Sequence, residues 1–187
     1  MTHALILIDI QQGFSDPVWG TRNNPDAEEN AARLLKAWRA KKMPVFHIRH
    51  LSTSKNSPLM AGTPGAQFNR LVAPVALEAV LEKTVNSGFI GTDLESRLRQ
   101  KMISHLVICG LTTPHCVSST ARMAANLGFD VSLAHDACAA FSSNADNSWN
   151  AGATPLSAAQ IHDTAISQIH GEFVQAKSTE SIIKAIG

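Results

Sequence analysis

The chain alternates short runs of β-branched and apolar residues with longer amphipathic segments from one end to the other. A strand covered on both faces reads as a continuous apolar run, and its covering helices repeat every 3.6 residues, so this alternation predicts βαβ units around a parallel sheet. The strand candidates are Ala4–Ile10, Pro44–Arg49, Leu106–Cys109, Val131–His135 and a last one near Phe173–Lys177. Asp26–Ala40 carries Ala31, Leu34, Leu35 and Trp38 at helical spacing, with Glu28 and Glu29 where the helix dipole favours acids. A second helix opens at Thr92, with Glu95 three residues on as a capping box, and runs through Leu94, Leu98 and Met102. Val117–Leu127 is a third helix, stopped by Gly128; Ser157–Ile169 and Thr179–Ile186 are the fourth and fifth.

These elements fit a single α/β domain over residues 1–187, three layers deep, with a mainly parallel, Rossmann-like central sheet. A domain of 187 residues buries roughly 70% of its unfolded surface without a staple. Formal net charge is +1 and the basic residues are scattered, which argues against nucleic acid as a partner. No apolar run approaches the ~20 residues of a membrane span, and the opening "MTHALILIDIQQGF" has neither a basic leader nor a cleavage site, so no membrane contact and a cytoplasmic protein are expected. The cysteines number three, with no CxxC pair, as expected of free thiols in a reducing compartment.

Ligands of parallel sheets bind beyond the carboxyl ends of the strands, where strand order reverses. Asp9 closes the first apolar run, and the turn Gly110–Cys116 follows a central one, so both belong at that edge. Cys116 stands where the Val117–Leu127 helix starts, a position that lowers a thiol's pKa and favours the nucleophilic thiolate. From position alone, a small buried thiol is an equal reading. Cys109 and Cys138 lie in apolar runs and read as packing. Lys83 ends an apolar segment; alone it reads as a solvated lysine. Two irregular stretches, Leu51–Pro74 and Ser142–Pro155, are long enough to carry function.

Three blocks, "LILIDIQQGF", "EKTVNSGFIGTDLESRLR" and "HLVICGLTTPHCVSSTARMAANLGFDVSLAHDACAAF", resemble in order the signature blocks of the isochorismatase-like cysteine hydrolase superfamily, over nearly the whole chain. The superfamily includes nicotinamidases, N-carbamoylsarcosine amidohydrolases and ureidoacrylate amidohydrolases. The resemblance implies that Asp9, Lys83 and Cys116 form a catalytic triad, that the peptide between Leu111 and Thr112 is cis, and that the enzyme cleaves an amide or ureido C–N bond of a small molecule. The roles are chemically coherent: Asp9 takes the thiol proton, Lys83 steadies both anions, and the backbone N–H groups of Thr112 and Cys116 form an oxyanion hole. The other reading is a catalytically idle relative that binds a small ligand or serves as a scaffold. A redox-sensing thiol protein is a third reading, and Cys116 has no resolving cysteine nearby in sequence.

Metal-dependent nicotinamidases resemble one another in an Asp-x-His motif after the second strand; "FHIRHLSTS" here lacks the aspartate, so no metal and no cofactor is expected. His47 reads as a hydrogen-bonded strand histidine and His50 as a polar pocket residue. Substrate-binding candidates are Phe14, Trp19, His50, Gln67 and His115; Phe141 reads chiefly as core. Trp149, in an otherwise polar loop, suggests a subunit interface, and with the resemblance it leads to the expectation of a homo-oligomer, a dimer or a multiple of dimers.

Overall fold

A computed structural model of the chain describes residues 3–187. The regular elements are β1 (His3–Ile8), α1 (Ala27–Ala40), β2 (Val45–His50), β3 (Ala79–Lys83), α2 (Leu94–Gln100), β4 (His105–Leu111), α3 (Ser118–Asn126), β5 (Asp130–Ala139), α4 (Ala158–Ser167), β6 (Gln175–Lys177) and α5 (Thr179–Ile186). All pairings in the six-stranded sheet are parallel, in the order β3-β2-β1-β4-β5-β6. Right-handed crossovers place α1 on one face, because β1 to β2 runs one way along the sheet; α2 and α3 fall on the other, because β3 to β4 and β4 to β5 run the opposite way. α5 packs beside α1. This is the α/β architecture that the alternation predicts.

The central strand explains why the sheet holds its carboxyl edge in place. Residues Ala4 through Ile8 are all buried. Each buried Leu or Ile contributes about 1.5–3 kcal/mol. From one helix, Leu34, Leu35 and Trp38 of α1 complete the core, all essentially without solvent contact.

Four local expectations are corrected. β1 stops at Ile8 rather than Ile10, because Asp9 adopts a left-handed φ of 50° that ends the pleat. β3 was not expected as a strand: it is a sheet edge with only Leu81 and Lys83 buried, so its pattern lacks the continuous apolar run of a covered strand. Thr92 does not form a capping box with Glu95; its hydroxyl donates to the Gly88 carbonyl at 2.6 Å and accepts from the Leu94 N–H at 3.3 Å. α2 accordingly ends at Gln100, and Met102 lies exposed beyond it at a φ of 53°. The third helix begins one residue late, preceded by a π-helical turn, Thr113–Val117. Gly128 follows it at a φ of 83°, as the sequence predicts.

Candidate active site

Strand order reverses between β1 and β4, and the site lies beyond the carboxyl ends of those strands. Asp9 follows β1 and is fixed by its N–H, which donates to the Ile48 carbonyl at 3.0 Å. Gly110 pairs with Ile8 across the β1–β4 ladder at a φ of 134°, and any Cβ there would overlap the Ile8 carbonyl oxygen. This closeness carries β4 past β1 into the turn that holds Thr112 and Cys116. The Leu111–Thr112 peptide is cis. Thr113 anchors the turn through a 2.8 Å hydrogen bond between its hydroxyl and Nδ1 of His162 on α4. Thr120 donates to the Cys116 carbonyl at 2.7 Å and accepts from the Gly88 N–H at 3.0 Å, tying the turn to the segment after β3.

Lys83, the last residue of β3, reaches across β2 with its side chain fully buried. Its Nζ lies 2.5 Å from Asp9 Oδ2, 3.3 Å from Cys116 Sγ and 3.3 Å from His50 Nδ1. A carboxylate oxygen of Asp9, a ring nitrogen of His50 and the Cys116 sulfur lie within 4.8 Å of one another, a spacing that a metal ion could bridge. The ammonium of Lys83 is hydrogen-bonded to all three residues, so the cation this trio surrounds is the lysine's. The thiol also points at Asn86 Oδ1, 3.8 Å away.

Burial governs the electrostatics. Removal from water raises the Asp9 carboxyl above its ordinary value, against the lowering effect of Lys83. The Cys116 thiol is pushed up to about 12, first by burial and then by the Asp9 charge, with Lys83 pulling the other way. The helix start predicts a lowered pKa; the sulfur instead sits within the π-helical turn, 9% exposed, where burial is the largest influence and acts in the opposite direction. Burial, and then the Lys83 charge, holds His50 below the usual histidine value. Burial likewise lowers His115, against the backbone of Asn144.

Asp9, Phe14, Trp19, His50, Thr112, His115 and Cys116 all face one cavity of about 230 Å³. Gln67 does not: it is exposed, and its carbonyl accepts from the Gln12 N–H at 2.8 Å. The buried glutamine next to the site is Gln11, which sequence reasoning missed and which fixes the backbone of His50. It is buried, its Oε1 accepts from the His50 N–H at 2.8 Å, and its Nε2 donates to the carbonyls of His50 at 2.9 Å and Ala66 at 3.0 Å. Also missed were Ser52, Ser57 and Leu59, Asn86, and Asn144, which complete the wall. The two long irregular stretches and the block "EKTVNSGF" hold all five, so the segments carried a signal that single positions did not.

Phe141 lies behind the wall, with its ring 5.9 Å from Phe14 and 6.1 Å from Trp19. It is buried, whereas Trp149 is 82% exposed. His47 is buried and bonds Glu78 at 2.8 Å, as a strand histidine should. Burial alone would raise Glu78, but Arg39, the Val75 N–H and His47 outweigh it and hold the carboxyl at about 2. A larger depression of about 450 Å³ lies at the amino ends of β4–β6, around His105 and Phe173, and brings no thiol and base together.

Residues 3–181 match the isochorismatase domain. The chain is 43% identical over 180 residues to the isochorismatase family protein YrdC of Bacillus subtilis, covering 96% of this chain and 94% of that one. It is 31% identical over 145 residues to N-carbamoylsarcosine amidase of an Arthrobacter species, covering 67% and 55%. Among solved structures, an isochorismatase-family protein of Chromobacterium violaceum superposes with a TM-score of 0.93 at 41% identity, over 100% and 94% of the two chains. A cysteine hydrolase of Pseudomonas syringae superposes with a TM-score of 0.85 at 26% identity, over 98% and 92%. A match of this extent, on a sheet that brings Asp9 and Cys116 to one cavity with Lys83 bonded to both from behind it, makes the chain a member of the isochorismatase family of hydrolases.

Proposed function

We infer that this member is a cysteine-dependent hydrolase of a C–N bond, amide or ureido, in a small molecule. The observation that carries the reading is the Lys83 ammonium, which bonds Asp9 and Cys116 at once in a fully buried setting. A thiol pushed up to about 12 is nearly all protonated at neutral pH, so attack requires that its proton leave as the bond forms. Asp9 is the acceptor: Sγ bonds to the carbonyl carbon while the proton passes to the carboxylate, and the oxyanion is received by the backbone N–H groups of Thr112 and Cys116. Collapse breaks the C–N bond, and protonated Asp9 returns the proton to the departing nitrogen. Asp9 then takes a proton from water, whose oxygen attacks the thioester, and the released sulfur recovers its proton. Lys83 is bonded to both Asp9 and Cys116 and offsets whichever of them is anionic. No step calls on a metal or cofactor.

The test is release of ammonia or amine from a panel of small amides and ureido compounds, with mass spectrometry of enzyme quenched during turnover. An acyl adduct on Cys116 and activity unchanged by chelators are expected. Ligand binding without release or adduct across the panel would instead favour the binding-protein reading.

A further inference from the structure

Beside the Asp9 carboxyl and the Cys116 thiol, the cavity wall carries aromatic, aliphatic, hydroxyl, amide and imidazole groups, and among the described residues no arginine or lysine lines it. Lys83 is the cation nearest to hand, and it is spent: its side chain is fully buried, bonded to Asp9, His50 and Cys116, and does not line the cavity. We propose that the site selects its substrates by charge, accepting small uncharged amides or ureides and rejecting analogues that carry a carboxylate. This rests on the hydrolase reading above and deepens it.

The physical argument is desolvation. At about 230 Å³ the cavity is smaller than the roughly 300–1,000 Å³ of drug-sized sites, so the part of a molecule that enters it exchanges water for the groups of the wall. A carboxylate stripped of water needs a countercharge or several charge-assisted donors. What it would meet is Asp9, whose charge Lys83 already balances, and two histidines that burial keeps neutral. Trp19 offers only its ring, because its indole N–H donates to the Gly13 carbonyl at 2.8 Å. Phe14 and Trp19, with centroids 5.2 Å apart and rings tilted by 35°, give one side of the cavity an aromatic, apolar surface, whereas Asn86 and Asn144 supply uncharged polar groups that can bond an amide. Those groups suit a flat, neutral acyl portion.

Matched pairs test this: benzamide against 4-carboxybenzamide, and phenylurea against 4-carboxyphenylurea. Two readouts are taken, kcat/KM for ammonia release by the wild type and Kd by calorimetry on the Cys116→Ala protein. The neutral member of each pair should be favoured by about 10²-fold or more in either readout. Placing a cation on the wall, by Ser52→Arg or separately Ser57→Arg, should shrink that preference at least about tenfold. Equal or better use of the carboxylated member by the wild type would overturn the proposal, as would failure of every neutral probe to bind the Cys116→Ala protein at millimolar concentration. Selective binding of neutral probes without ammonia release supports charge selection while overturning the hydrolase reading, so the two fail separately.

Discussion

Asp9 and Lys83, 74 residues apart in sequence, form an ion pair of 2.5 Å in which both side chains are fully buried. Breaking such a pair from one side leaves a charge stranded, at a cost of about 3–5 kcal/mol. Lys83→Met should therefore destabilise the protein in a pH-dependent way. Without the ammonium, the Asp9 pKa in the folded state rises further above its unfolded value. A raised carboxyl supports stability below the unfolded pKa and loses that support as pH climbs through the folded one. Chemical denaturation should thus find the variant close to wild type near pH 4 and most deficient near pH 8; a deficit constant with pH would contradict a buried charge pair.

Cys116→Ala should lower turnover by at least about 10³-fold, because the thiol's contribution is nucleophilic. Its cost in stability should be no more than about 1 kcal/mol, the range of ordinary substitutions, since little volume is lost. Parallel melting and activity curves decide between this and a packing role.

The rate of attack should follow the ionisation of Asp9. Its carboxyl is raised by burial, so kcat/KM should climb with pH through an apparent value above the ordinary carboxylate range, and Asp9→Asn should abolish that limb. No thiol limb is expected near neutrality, because Cys116 is pushed up to about 12. Iodoacetamide labelling of the free protein should accelerate steadily to pH 10. It should stop at one site, because Cys109 and Cys138 have no solvent contact. A labelling plateau below pH 8 would mean a resting thiolate.

Gly110→Ala should be poorly tolerated. The position combines a φ of 134° with a backbone oxygen where the methyl would go, so relief requires β4 to move away from β1. A loss above about 2 kcal/mol is expected, with reduced soluble yield. Gly128→Ala is the control, because its Cβ meets nothing within 4 Å and only its φ of 83° opposes it.

We expect a homo-oligomer, a dimer or a multiple of dimers, with the 82% exposed Trp149 at a contact between copies. Trp149→Ser should shift light-scattering mass toward the monomer. A fully active wild-type monomer at dilution would dispose of the idea.

The fold was legible because strands covered on both faces, such as Ala4–Ile8, write their burial as an uninterrupted apolar run. β3 was not, because two of its five residues face solvent: Val80 is 40% exposed and Glu82 is exposed as well. At the site, residues held by the ends of strands could be placed by topology, and Asp9, Thr112 and Cys116 do share one cavity. Gln67 was misplaced and Gln11 overlooked for one reason: which glutamine turns inward depends on the path of a loop that no periodicity encodes. The thiol's pKa was misjudged because sequence reveals a helix start but not the solvent excluded from it.

The ion pair thus joins the innermost strand of the sheet to an outermost one, since Lys83 belongs to β3. Edge strands are hydrogen-bonded on one side only, and regions with few partners open locally at lower free energy than the core. Hydrogen exchange should therefore show the amides of Ala79–Lys83 losing protection before those of β1. Turnover would then vanish at denaturant concentrations where far-ultraviolet circular dichroism still reports a folded sheet, making inactivation an early witness of fraying rather than of global unfolding.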